Sequence, residues 1–273
     1  MANRLALQKD FNKFAPTTEP SLVVRQQTRY LNLTMITLAL IALCSYLIGA
    51  IPTSIIVSRA VKGIDIRQHG SGNAGGTNVF RVLGWQAGLF VTLFDMLKGV
   101  LPVTFIVGYF TANSIDGLPN APFIVFQLLA GVAAMLGHIY TVFAGFKGGK
   151  GVSTGAGVVI GIAPITMAFV ITIFFTTLLL TRYVSVSSMT GAVSIPTVMA
   201  IRRFVFGGEV DAQYPLHLFG TKFVLHDSLE TITIATSVVI AFVIIYTHRT
   251  NIERLRNGTE NRIFAKKSTS VSQ

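Results

Sequence analysis

Formal charge is scarce in this chain. Only 12% of its 273 residues are Asp, Glu, Lys or Arg, where an ordinary globular domain carries about 25%. The shortage is concentrated in runs: Leu33–Ser58 and Gly151–Thr181 contain no formal charge, and each exceeds the roughly 20 apolar residues that cross a bilayer. An ordinary water-soluble domain is excluded by these runs, and a disordered chain by the mean hydropathy of +0.63. Cysteine is nearly absent. Cys44 is the single one, so no intrachain disulfide can form, and inside an apolar run it reads as a small hydrophobe. Acidic residues are few as well, 11 against 22 Lys and Arg, for a net charge of +11. No nucleic-acid-binding motif accompanies that excess. The basic residues fall between apolar runs and in the tails, where they orient a membrane chain and face anionic headgroups.

The expected architecture is all-α: a multi-pass membrane helix bundle of about seven transmembrane helices, one of them short or re-entrant. Residues 1–32 read as a polar, basic leader, 33–247 as the bundle and 248–273 as a basic cytoplasmic tail. The first apolar run starts too late and is too long for a cleavable signal peptide. Spans are expected over Leu33–Ser58, Ala87–Phe110, Phe123–Phe143, Val184–Ala200 and Leu229–Thr247. Gly151–Thr181 is too long for one crossing, and Pro164 near its middle leaves two options, two short spans or a re-entrant half-helix followed by a span. Asp95 and Lys98, three apart in the second span, can neutralise each other inside the bundle. Charge places the tail and the loops Arg59–Gly84 and Gly145–Gly151 in the cytoplasm. The N-terminus then lies outside, against its own five basic residues.

Four polar clusters interrupt the apolar background. The first runs Gly70-Ser71-Gly72-Asn73-Ala74-Gly75-Gly76-Thr77-Asn78, then Arg81. Glycines let backbone N–H groups turn toward an anion, and Ser, Asn, Thr and Arg add donors. The second is Gly137-His138 with Phe146-Lys147-Gly148-Gly149-Lys150-Gly151, a phosphate-loop candidate at an expected helix start. It is not a Walker A loop, which ends in Gly-Lys-Ser/Thr. The third is Arg182-Tyr183-Val184-Ser185-Val186-Ser187-Ser188; the fourth is His248-Arg249-Thr250-Asn251-Ile252-Glu253-Arg254. Gly151-Val152-Ser153-Thr154-Gly155 fits the G-x-S-x-G nucleophile elbow, but that motif needs a strand-turn-helix setting that an apolar membrane run does not provide. The His-x4-Asp pattern of many acyltransferases is missing; Glu253, five after His248, is a near miss.

With these four motifs in order, the chain resembles the bacterial membrane glycerol-3-phosphate acyltransferases that use acyl phosphate as donor, the PlsY type. The resemblance covers about Ile41–Ile263, with Asp95 and Lys98-Gly99 also matching. Residues 1–32 and Arg202–Asp227 depart from it, as do Gly76, Thr141 and Ser153. It implies a seven-helix bundle in the bacterial inner membrane, with the motif loops facing the cytoplasm. The implied reaction is acyl transfer from acyl phosphate to the 1-hydroxyl of sn-glycerol 3-phosphate, with no cofactor, metal or nucleic acid. Such a donor carries a good leaving group, so positioning and charge stabilisation can suffice without a covalent enzyme nucleophile. Ser71, Gly72, Asn73, Gly75, Thr77 and Asn78 are expected to hold the donor phosphate and the developing oxyanion. Arg81, Lys147, Lys150, Ser185, Ser188, His248 and Asn251 are expected on glycerol 3-phosphate, and Gly148, Gly149 and Gly151 are expected to bind substrate through the phosphate loop. His138 would orient the loops or relay a proton. Ser71, Asn73, Arg81, His138 and Lys147 form the expected catalytic set. No carboxylate accompanies the motifs, so the base stays open, and the donor phosphate itself could take the proton. The competing class is an organic-phosphate or anion transporter, to which the intramembrane Asp95–Lys98 pair and the break at Pro164 would also be suited.

Overall fold

The computed structural model describes residues 22–114, 123–206, 213–218, 221–226 and 231–263. Helix α1 runs Leu22–Ala50 and ends where Pro52 removes a backbone donor. The short amphipathic α2, Thr53–Lys62, follows and closes on Gly63 in the left-handed region (φ 66°). Helix α1 thus begins inside the stretch expected as a polar leader: residues 22–32 are helical and continuous with the first span. Residues 1–21 lie outside the described residues. After a 3₁₀ turn at Ile66–Gln68 come α3, Gly76–Leu83, and α4, Trp85–Leu101. Pro102 opens a π-helical segment, Pro102–Ile106, that leads into α5, Val107–Ser114. Helix α6 spans Phe123–Ile139. Gly151–Thr181 divides at Pro164, with the 11-residue α7, Val152–Ile162, followed by α8, Pro164–Thr181. At 11 residues α7 is the half-helix of the second option, followed by a span, and Pro164 stands in the first turn of α8, where its missing N–H costs no hydrogen bond. Helix α9, Val184–Phe206, runs past the expected Ala200 and takes Arg202 with it, buried, its Nη1 donating to Thr166 Oγ1 at 3.0 Å. An antiparallel hairpin, β1 Gln213–Leu218 with β2 Thr221–His226, is the small non-helical addition to the bundle. Helices α10, Thr231–Thr247, and α11, Arg249–Arg256, meet at a 55° bend.

Among the described residues five helical stretches are long and apolar enough to cross a membrane, six if the bent α10–α11 pair is one span. Helix α7 is too short to cross. The bundle is therefore of the expected kind, with five or six stretches among the described residues long enough to cross, together with the short α7.

Two pairs of helices approach at backbone distance, which only small residues allow. A Cβ on Gly49 of α1 would strike the carbonyl of Ala134 in α6, and one on Gly137 of α6 would strike that of Tyr46 in α1. Between α4 and α7, a Cβ on Gly99 would strike Thr154 and one on Gly157 would strike Met96. The main core, including Ile41, Val103, Val107, Phe126, Val158 and Ile162, lies between these helices. A smaller cluster of Ile55, Ile66, Ala74, Val79 and Val91 lies under the first glycine motif and seats it on α4. Two carbonyls at the Pro52 break take donors from neighbouring elements: Lys98 Nζ donates to Ile51 O at 2.7 Å, and Thr141 Oγ1 donates to Ala50 O. Lys98 also pairs with Asp95 at 2.5 Å, both buried, as their spacing predicts.

Candidate functional site

The first motif is a built loop. Asn78 is buried; its Oδ1 accepts from Ser71 N at 2.8 Å, and its Nδ2 faces the carbonyls of Ile66, His69 and Asn73 at 2.9–3.1 Å. Its side chain is thus consumed in shaping the loop. Asp65 and Arg67 brace it from below: Arg67 Nη2 meets Asp65 Oδ2 at 2.6 Å, and Nη1 reaches Ala144 O at 2.9 Å in the second motif. The Arg67 hydrogen bonds outweigh burial and hold the Asp65 carboxyl at about 2.

The second motif folds back on the end of α6. Gly148 N donates to Ile139 O and Gly149 N to His138 O, at 3.0 and 3.1 Å. A phosphate-loop reading would turn these two N–H groups toward a phosphate; instead they close the C-terminus of α6, where carbonyls need partners. The return is so tight that a Cβ on Gly149 would collide with the His138 ring and with Ala74 O. Gly149→Ala is expected to lower turnover at least about 100-fold, since a displacement near 1 Å is enough to do so. The check is kcat beside the thermal midpoint; a variant above a tenth of wild-type rate would show that the loop tolerates the shift.

A cavity of about 160 Å³ opens between these loops. Three helix N-termini converge on it: α3 at Gly75–Thr77, α7 at Gly151–Ser153 and α9 at Val184–Ser185. No side chain caps α3 or α7, so their first N–H groups and helix dipoles favour an anion in the cavity. Ser71, Asn73, Asn78, Arg81, His138, Lys150, Ser188, His248 and Asn251 also line it, with Thr92, Asp95 and Phe174. His248 Nδ1 lies 2.7 Å from Ile244 O, an arrangement in which that nitrogen carries the proton and Nε2 is the free acceptor. Lys150 Nζ donates to Asn251 Oδ1. Burial and the charges of Arg254 and Arg81, only partly offset by Glu260, lower Lys150 to about 8.

Gly72, Lys147, Gly148 and Gly149 do not line this cavity. They belong to an adjoining outer one of about 500 Å³, with Tyr140, Tyr246, Arg249 and Arg254, which shares Ser71, Asn73 and Lys150 with the inner one. Of the two lysines of this motif, Lys150 therefore lines both cavities and Lys147 the outer one alone.

Two carboxylates also stand at the inner wall, against the expectation of none. Asp95, already paired with Lys98, lies 3.8 Å from His138 Nδ1. Glu260 arrives from beyond α11 after a turn at Gly258 (φ 69°). Its Oε1 accepts from Ser185 Oγ at 2.9 Å and Asn251 Nδ2 at 2.7 Å, and its Oε2 from Arg254 Nε at 2.7 Å. Burial raises its pKa, but these three bonds outweigh that and hold the carboxyl below its ordinary value. Glu260 leaves little signal in the sequence: it sits in an aperiodic polar tail, six residues from Arg254. Glu253, the near miss, is exposed.

Known proteins resemble this chain over most of its length. Residues 39–258 match the family described as glycerol-3-phosphate acyltransferase. A glycerol-3-phosphate acyltransferase of Chlorobium phaeobacteroides is 53% identical over 84% of this chain and 97% of its own length. That of Chlorobaculum tepidum is 52% identical over 84% and 97%. Among solved structures, PlsY (YgiH), an integral membrane glycerol 3-phosphate acyltransferase in its glycerol 3-phosphate form, superposes with a TM-score of 0.64 at 34% identity, covering 82% of this chain and 94% of that one. Its lysophosphatidic acid form gives 0.62 at 33% identity, with the same coverage. The chain is an integral membrane enzyme and belongs to the glycerol-3-phosphate acyltransferase family.

Proposed function

We propose that the protein transfers a fatty acyl group from an acyl phosphate to the 1-hydroxyl of sn-glycerol 3-phosphate. The hydroxyl oxygen bonds to the acyl carbon and the carbon–phosphate-oxygen bond breaks. Inorganic phosphate leaves, and 1-acylglycerol 3-phosphate remains. The observation that carries this reading is the convergence of three helix N-termini with Arg81 and Lys150 on one cavity. Such a cavity suits phosphate oxygens and a developing oxyanion.

In this reading Ser71, Asn73, Gly75 and Thr77 hold the donor phosphate, while Asn78 keeps their loop in shape. Arg81, Lys150, Ser185, Ser188, His248 and Asn251 hold glycerol 3-phosphate. Lys147, with Gly72, borders the outer cavity that adjoins the inner one. Glu260 has its oxygens committed to Ser185, Asn251 and Arg254, and Asp95 is committed to Lys98. Neither is placed as the base, which favours the leaving phosphate as the acceptor of the hydroxyl proton. The acyl chain would pass Phe174, Val152 and Val184 on the cavity wall. We place the site at the cytoplasmic face of the inner membrane, because the basic loops and the tail share its end of the bundle.

The test is purified protein supplied with glycerol 3-phosphate and palmitoyl phosphate, with acyl-CoA and acyl carrier protein donors in parallel. Phosphate release matched by lysophosphatidic acid with acyl phosphate alone is expected. Product from acyl-CoA alone would reject the donor. The pH profile follows from Lys150: its charged form dominates below about 8, so kcat/KM for glycerol 3-phosphate falls as pH rises through that value. Lys150→Arg, charged to above about pH 12, is expected to abolish that descending limb. A profile in the wild type that stays flat to about pH 9.5 would remove the Lys150 charge from binding.

A further inference from the structure

Two described non-glycine residues have left-handed backbone, Arg182 (φ 62°) and Phe146 (φ 59°). Arg182 is an ordinary helix cap, its N–H returning to Leu178 O at the end of α8. Phe146 has a similar backbone reason, since its N–H donates to Thr141 O at 2.8 Å. That turn would be easier for glycine, as at Gly145 just before it (φ 64°), because a bulky Cβ substituent is disfavoured there. The ring gains little compensating burial in this chain: Phe146 and the nearby Phe143 are each 60% exposed. A strained residue that is also unburied points to a partner outside the fold.

Its position says which partner. The membrane-spanning stretch that includes α6 ends at Ala144, so the two rings stand where the chain leaves the hydrocarbon. Beside them Tyr140 and Tyr246, also exposed, border the outer cavity with Lys147, Arg249 and Arg254. The Arg249 guanidinium lies 4.8 Å over the Tyr246 ring. Aromatic rings interleaved with cations are what the headgroup layer of an anionic leaflet selects.

We propose that residues 143–147 form a membrane-interface hook. Phe143 and Phe146 enter the boundary between headgroups and acyl chains, and Lys147 lies among anionic headgroup phosphates at the mouth of the outer cavity. Membrane insertion offsets the strain at Phe146. One consequence rests on the acyl-phosphate reading above: an amphiphile whose phosphate lies at headgroup depth meets Lys147 and Arg249 before it reaches Lys150.

The chain has a single Trp, so Trp85→Phe with Phe146→Trp reports the hook alone. In vesicles of phosphatidylglycerol and phosphatidylethanolamine, the indole is expected to emit at short wavelength. Lipids brominated high on the acyl chain should quench it more strongly than aqueous iodide does. Emission typical of water with iodide the stronger quencher overturns the proposal. An indole shielded from both also overturns it, since the ring would then pack against protein. Neither readout uses turnover. An inserted indole in a protein that turns over no acyl phosphate would therefore keep the hook and remove the functional reading. For the consequence, Phe146→Gly relieves the backbone and deletes the ring together. It is expected to raise KM for a long-chain donor about fivefold, as loss of part of a Phe burial would, with kcat and KM for glycerol 3-phosphate unchanged and Phe146→Trp restoring the value. An unchanged donor KM overturns the role in delivery.

Discussion

Lys150→Ala is expected to lower kcat/KM for glycerol 3-phosphate about a thousandfold, with little change in the thermal midpoint. Lys150 is the cation that the fold sets between the cavity and Asn251. Removing one charge-assisted donor from a partly buried anion site costs about 3–4 kcal/mol in the transition state. Its carbonyl still accepts from Thr247 Oγ1 at 3.2 Å, so the backbone remains tied to α10 after the side chain is lost. Lys147 belongs to the expected catalytic set with equal claim, but it is exposed and borders the outer cavity alone. Lys147→Ala is expected to cost no more than about tenfold, as an exposed, screened charge would, and mainly in KM. Steady-state kinetics of the two variants decide between the cavities. A larger loss from Lys147→Ala would move the chemistry outward.

Glu260→Gln should damage stability and activity together. The Glu260 side chain is 2% exposed and carries three donors, and a neutral amide of the same shape cannot accept from all of them. Breaking a buried pair costs about 3–5 kcal/mol. The lower end applies, because the Arg254 side chain is 29% exposed and partly screened. Ser185 and Asn251 lose their common anchor, and kcat/KM is expected to fall more than about 100-fold. Adding Arg254→Met relieves the unpaired charge. The double variant should recover much of the thermal midpoint but not the activity. Recovery of both would make Glu260 a stability residue only, with no hold on Ser185 and Asn251. The pH sign follows from its lowered pKa: the stabilisation is present above the unfolded carboxyl value and is lost as pH falls through the folded one.

Much of this molecule is legible in its amino-acid sequence. Spans follow from apolar runs because a bilayer makes hydrophobic length a local property. The break at Pro164 and the pairing of Asp95 with Lys98 follow from single-residue chemistry and helical spacing. The glycine motifs are recognisable because glycine and amide side chains are what a backbone anion site requires. The helical content of 22–32 escapes a reading by hydrophobicity because Arg25, Gln26, Gln27, Thr28, Arg29 and Asn32 interrupt its apolar residues, and helices need not end where hydrophobicity does. The assignment of Gly148 and Gly149 N–H groups to phosphate fails because a helix C-terminus also needs donors, and α6 lies close enough to take them.

What the sequence by itself determined was the membrane bundle, its broken helix and the residue types that an anion site uses. Their spacing along the chain expresses those constraints directly. The tertiary structure alone decided which of two lysines three residues apart enters the inner cavity. It also decided that three helix N-termini meet there, and that Glu260 returns from the tail to anchor Ser185, Asn251 and Arg254. These are contacts between residues up to 101 positions apart, as in Lys150 to Asn251, and no local pattern encodes them. They depend on glycines letting helices approach at backbone distance, and that approach exists only once the bundle has packed.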